Sequence, residues 1–111
     1  MQDVEPTRRV GKLVRDKIPE IIRRDGAEPV IYIAGPEEYR ERLLEKLGEE
    51  YREVLEADDE AAPGELADLV EAALAYATLL GVSAEQLEEI RAAKQAERGG
   101  FADRIVWMGN R

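Results

Sequence analysis

The chain contains neither cysteine nor histidine. Their absence excludes disulfides, Cys/His zinc sites, thiolate nucleophiles and Ser-His-Asp catalysis. It also argues against di-iron bundles built on Glu-x-x-His. Any bound metal must therefore be held by oxygen, with Mg²⁺ the first choice and Mn²⁺ the second. A general base has to be a carboxylate, a lysine, a tyrosine or a metal-activated water. There is no apolar run long enough to span a membrane and no signal-peptide core, so a cytoplasmic protein is the expectation. Neither a P-loop nor a G-x-G-x-x-G turn is present. A positive balance of charge is lacking too: 25 acidic residues outnumber 16 basic ones, the net charge is −9 and the isoelectric point about 4.6, which argues against partnership with nucleic acid or an anionic membrane.

What remains is 111 residues, 44% hydrophobic and 37% charged, a balance that suits one helical domain with a single core. Residues 1–10 read as a flexible leader and 11–111 as the domain. Pro19 to Asp25 reads as a short helix closed by Gly26. Pro29 to Ala34, rich in β-branched and aromatic residues, reads as a strand. Gly35-Pro36 opens a long helix over about 37–57. A second follows over about 64–80, with Pro63 in its first turn and Gly81 as its C-cap. Ser83 and Gln86 form a capping box for a third, about 84–97, ended by Gly99-Gly100. Residues 104–108 (R-I-V-W-M) read as a second strand, able to pair with 29–34. The fold class expected is mainly α: a helical hairpin or bundle core with a small two-stranded β element.

Five carboxylates stand out. Glu49, Glu50 and Glu53 form E-E-x-x-E on the first long helix; Glu65 and Asp68 form E-x-x-D on the next. At about 100° per residue, Glu50 and Glu53 are about 60° apart, as are Glu65 and Asp68, and Glu49 is about 40° from Glu53. The short connection makes the helices antiparallel. Counting from a turn near residue 60, Glu53, Glu65 and Asp68 come to similar heights. Glu50 lies on the edge of the apolar stripe Leu43, Leu44, Leu47, Tyr51, Val54 and Leu55, where a carboxylate is partly desolvated and like charges raise its cost. Bound cations would remove that cost. The bland alternative is a solvated acidic face, since glutamate is a good helix former.

From Leu66 to Leu80 only Asp68 and Glu71 carry charge. A helix apolar all round is a buried helix. In so small a chain its simplest cover is a second copy, so a homodimer or higher homo-oligomer is expected. Basic residues fall in two groups: Lys12, Arg15 and Lys17 near the N-terminus, and Arg91, Lys94 and Arg98 on the last helix. Lys46 precedes the acidic motif by one turn. Each suits a phosphate as well as an ordinary surface ion pair. Tyr39, Tyr76, Phe101 and Trp107 suit either a stacked base or the core.

E-E-x-x-E followed by E-x-x-D on consecutive helices resembles the all-α nucleoside triphosphate pyrophosphohydrolase superfamily, which includes MazG, dimeric dUTPase and phosphoribosyl-ATP pyrophosphohydrolase. K-L-V-R-D-K-I-P-E at 12–20 and R-G-G-F at 98–101 are similar to a small MazG-like, house-cleaning branch. The resemblance covers about residues 11–109. It implies Mg²⁺-dependent hydrolysis of a nucleoside triphosphate, standard or damaged, to the monophosphate and pyrophosphate. It places Glu50, Glu53, Glu65 and Asp68 as metal ligands. Glu49, with Glu50 and Glu53, belongs to the catalytic set and would hold a further metal or orient the attacking water. Lys94 and Arg98 are implied on the phosphates, with Arg15, Lys17 and Lys46 as further substrate contacts. The gap between the acidic pairs is short and there is no second copy of the motif. One site per subunit follows, completed or sheltered by a partner. Two other readings stay open: a non-catalytic helical dimer with a regulatory role, and a hydrolase of phosphoribosyl-ATP.

Overall fold

The computed structural model describes residues 10–111, so the leader expected at 1–10 lies, except for Val10, outside the described residues. Four helices occur among them: α1 (Ile18–Arg24), α2 (Pro36–Glu56), α3 (Ala62–Leu79) and α4 (Ala84–Arg98). Their ends follow local chemistry. Prolines occupy the first turns of α1, α2 and α3, where no N–H is needed. Gly81, at φ +84°, adopts the left-handed conformation that ends α3, and the Val82 N–H closes back on the Ala77 carbonyl at 2.8 Å. Between α2 and α3, the Asp58 carboxylate accepts from the Ala61 N–H at 2.8 Å and holds the turn. The expected capping box opens α4: Ser83 Oγ accepts from the Gln86 N–H at 3.1 Å, and Gln86 Oε1 from the Ser83 N–H at 2.9 Å.

α2 and α3 pack together as the hairpin that the short connection requires, and α4 packs only on α3. The chain turns through 108° between α3 and α4. Arg40 lies over the Tyr76 ring, 5.5 Å from its centroid, tying α2 to α3. No helix among the described residues is by itself long and apolar enough to cross a membrane.

The core is thin. Leu43, Ala72 and Ala77 are the buried apolar residues, and Arg42 and Glu50 are buried beside them. The apolar stripe of α2 divides. Leu43 is buried and Leu47 and Val54 are half-buried, whereas Leu44, Tyr51 and Leu55 are exposed, as are Leu66 and Val70 on α3. Heights match across the hairpin, Leu55 with Leu66 and Tyr51 with Val70. By helical angle these residues lie on the side away from the carboxylates. The hairpin therefore has an acidic face and an apolar face. The accessible surface is 9622 Å², against about 6,200 Å² for a compact monomer of this mass. The radius of gyration is 18.6 Å, against about 13 Å for a domain of this length.

The two-stranded β element is absent: no strand forms over 29–34 or 104–108. A strand needs a partner edge, and these segments do not pair. Val30, Ile33, Ile105, Val106 and Met108 are almost fully solvated. Tyr32 points its hydroxyl at α2, and Arg104 has a left-handed φ of 59°, which breaks an extended run. Phe101 and Trp107 are exposed, so neither belongs to a core in the protomer.

Candidate metal centre

Periodicity and the tight turn bring three carboxylates together. Glu50 from α2 and Glu65 and Asp68 from α3 each offer an oxygen, all within 4.8 Å of one another. Glu50 is about 95% buried, since it sits where α2 meets α3 and only 5% of its surface is exposed. Lys46 Nζ, one turn earlier, lies 3.3 Å from its Oε1. Glu50 Oε2 and Glu65 Oε2 are both buried without a hydrogen-bond partner. A buried carboxylate oxygen left unpaired is costly, and buried groups of this kind are normally satisfied by a donor or a cation.

Glu53 joins the cluster through Glu65. A hydrogen bond between the two carboxyls favours the protonated form of Glu65. That bond, then burial, then the charges of Glu53, Asp68 and Glu50, push the Glu65 carboxyl above its ordinary range. Glu49 is half-buried beside the cluster, its side chain 25% exposed. Burial opposes its ionisation, but the hydrogen bond and charge of Lys46, and then those of Lys12, outweigh burial and hold Glu49 below the ordinary range. Lys46 and Lys12 lie 3.3 Å and 3.4 Å from the same oxygen, Glu49 Oε2. Burial likewise opposes the charge of Lys46, but Glu49 and Glu50 raise its pKa overall.

The site fits a hard divalent cation. Its donors are all oxygen, they come from two rigid helices, and two buried lone-pair atoms lack partners. Glu50, Glu65 and Asp68 are the residues positioned to hold such an ion, with Glu53 within reach through Glu65.

The basic residues distribute unevenly. Arg15 lies over the cluster, its Nη2 2.6 Å from Asp68 Oδ1, and Lys46 lies between Glu49 and Glu50. Lys17 instead provides the N-cap position of α1 and is exposed. Lys94 and Arg98 are not brought to the carboxylates of their own protomer. Both are exposed on α4, which meets α3 and not α2, and Arg98 pairs with Glu97 at 3.3 Å.

Two residues outside the sequence-derived site belong to this region. Lys12, recognised there only as one of a basic group, reaches Glu49. Arg42 gave no functional signal beyond its i, i+4 spacing from Glu38. It is buried and donates to Glu38 Oε2 at 3.0 Å, to the Tyr32 hydroxyl at 3.0 Å and to the Gly11 carbonyl at 2.6 Å. Tyr32 also donates to Glu38. This hub fastens two irregular segments to α2.

No family model matches the chain, and no solved structure matches it. An uncharacterized protein of Mycolicibacterium smegmatis (strain ATCC 700084 / mc(2)155) is 47% identical over 49 residues, which is 44% of this chain and 50% of that protein. The chain thus spans about half the length of the curated relative it matches.

Proposed function

We propose that this chain is a cytoplasmic, Mg²⁺-dependent nucleoside triphosphate pyrophosphohydrolase, able to use Mn²⁺, with a helical hairpin of the all-α pyrophosphatase type. The observation that carries the proposal is the convergence of Glu50, Glu65 and Asp68 with two unpaired buried carboxylate oxygens. Such an ion supplies charge neutralisation on the phosphate chain and an activated water for attack at the α phosphorus. The protein's own part is positioning. Glu50, Glu65 and Asp68 hold the ion from fixed helix positions. Glu53 stands beside Glu65, whose carboxyl this neighbourhood biases towards the protonated form until a cation offsets the charge. Glu49, held ionised by Lys46 and Lys12, is a weak base, and its part is to aim those two ammonium groups. Lys12, Arg15 and Lys46 are the cations nearest to an incoming phosphate chain.

The exposed apolar face supports a homo-oligomer. The surface excess over a compact monomer is about 3,400 Å². A second copy laid on Leu44, Tyr51, Leu55, Leu66 and Val70 satisfies the α2–α3 hairpin without covering the acidic face. The same surface would serve a non-catalytic dimer, and the two readings differ in turnover.

The test is a panel of standard and damaged nucleoside triphosphates, together with phosphoribosyl-ATP, incubated with Mg²⁺ or Mn²⁺ and followed by ³¹P NMR. Monophosphate plus pyrophosphate is expected, and Glu53→Gln should abolish turnover. Diphosphate plus orthophosphate would overturn the α–β assignment. Inactivity on the whole panel would favour the non-catalytic dimer, and cleavage of phosphoribosyl-ATP alone would reassign the substrate.

A further inference from the structure

The N-terminal segment before α1 has a fixed root and a free tip. At the root, the buried Arg42 guanidinium donates to the Gly11 carbonyl at 2.6 Å. Gly11 has φ +107°, a conformation that side chains rarely adopt, and this bend turns the chain towards the carboxylates. At the other end, the Arg15 carbonyl accepts from the Ile18 N–H at 3.0 Å, which ties the segment to the first turn of α1. Between these anchors Lys12 reaches Glu49 and Arg15 reaches Asp68. Both tips are solvated: the side chains of Lys12 and Arg15 are 65% and 54% exposed. Ion pairs this exposed are weak and open readily.

We propose that residues 11–15 form the anion-binding arm of the site, that Arg42 is the positioning residue that sets its reach, and that Arg15 occupies Asp68 until a divalent cation displaces it onto a phosphate. The inference rests on the metal-centre reading above. Among the described residues Asp68 pairs with Arg15, and the same carboxylate lies within 4.8 Å of Glu50 and Glu65. A divalent ion shared by the three carboxylates competes directly with the guanidinium. Once released, Arg15 remains tethered within a side chain's length of the ion. Its planar fork then suits a phosphate oxygen pair on the ion's open side. The ligand class is a di- or triphosphate carried with its metal. Lys12 adds a second positive charge on the same arm.

Two binding measurements on the full chain test this, with circular dichroism confirming the fold of each variant. Mn²⁺ titrated alone into Arg15→Ala should bind roughly two- to fivefold more tightly than into wild type, the effect of deleting an exposed competing charge. Mg²⁺-pyrophosphate should bind the same variant roughly ten- to a hundredfold more weakly, the effect of losing a charge-assisted bond. In an Arg42→Gln background the arm is no longer delivered, so Arg15→Ala should change neither affinity. Arg42→Lys, which keeps a donor to the Gly11 carbonyl, should partly restore both effects. A purely structural role for Arg42 would lower stability but leave the Arg15 effects intact, and that result would overturn the positioning claim. Equal or weaker Mn²⁺ binding by Arg15→Ala, with wild type binding normally, would overturn the competition. Loss of Mn²⁺ binding in wild type itself would instead remove the metal centre on which the arm acts.

Discussion

Replacing Glu65 by Gln separates the electrostatic cost of the metal centre from its affinity for cations. The hydrogen bond with Glu53, then burial, then the charges of Glu53, Asp68 and Glu50 raise the pKa of Glu65 above the ordinary value of 4.5. A carboxyl raised on folding stabilises the folded state fully below its unfolded pKa. That contribution is lost as pH rises through the folded value. Wild type in EDTA should therefore lose stability from about pH 4.5 upward, and Glu65→Gln, which cannot ionise, should not lose that part. Its amide N–H₂ is also a donor that Glu53 can accept from. At pH 7.5 without metal, Glu65→Gln should melt above wild type. With metal the order should reverse. A ligand at one hundred times its Kd stabilises by about 2.7 kcal/mol. With an unfolding entropy of about 2.1 cal/mol/K per residue, this raises the wild-type Tm by about 12 °C, while the variant should hardly move. The assay is differential scanning calorimetry at fixed protomer concentration, in EDTA and in Mn²⁺, at pH 5 and pH 7.5. Equal Mn²⁺ shifts in both proteins would remove Glu65 from the site. A Glu65→Gln protein that melts well below wild type in EDTA at pH 7.5 would refute the repulsion argument.

Two further outcomes follow from the helices themselves. Ser83→Ala removes the side-chain half of the α4 capping box, the Oγ that accepts from the Gln86 N–H, and should cost about 1 kcal/mol. Because α4 buries no residue of its own, the loss should appear as faster amide exchange over its first turns, with α2 and α3 unchanged. Leu55→Asp lies on the exposed apolar face; in a monomer it should change stability by less than about 0.5 kcal/mol. In a dimer sealed by that face it buries an unpaired carboxylate and should weaken self-association by at least about tenfold in sedimentation experiments. An unchanged association constant would place the interface elsewhere.

The parts of the fold legible in the sequence are those decided within a few residues. Gly35-Pro36, Ser83 with Gln86, and the left-handed Gly81 each act on their own turn, so helix ends fall within a residue or two of expectation. Strands are decided elsewhere. V-I-Y-I at 30–33 says only that these side chains suit a pleated surface, and no neighbouring edge offers one. The acidic cluster was legible for the same local reason as the helices: i, i+3 spacing and a short turn together set both angle and height. Arg42 was not, because both of its irregular-segment partners, Gly11 and Tyr32, are distant in sequence. Nothing about an arginine between Glu41 and Leu43 signals burial.

The basic residues show what this difference means for mechanism. Lys94 and Arg98 came into the site through resemblance, and their position depends on the direction in which α4 leaves α3. The chain bends through 108° there, and α4 meets α3 but not α2. Asp68 alone is eleven residues, about 16 Å, from the end of α3. Lys94 and Arg98 are exposed and Arg98 pairs with Glu97, so neither is drawn to the acidic cluster among the described residues. Lys12, Arg15 and Lys46 are drawn to it. They already neutralise Glu49, Glu50 and Asp68 in the metal-free protein. On the proposed reading, a cation held by Glu50, Glu65 and Asp68 would compete with Lys46 for Glu50 and with Arg15 for Asp68, while Lys12 stays beside it on Glu49, and this is a charge arrangement that a polyphosphate requires.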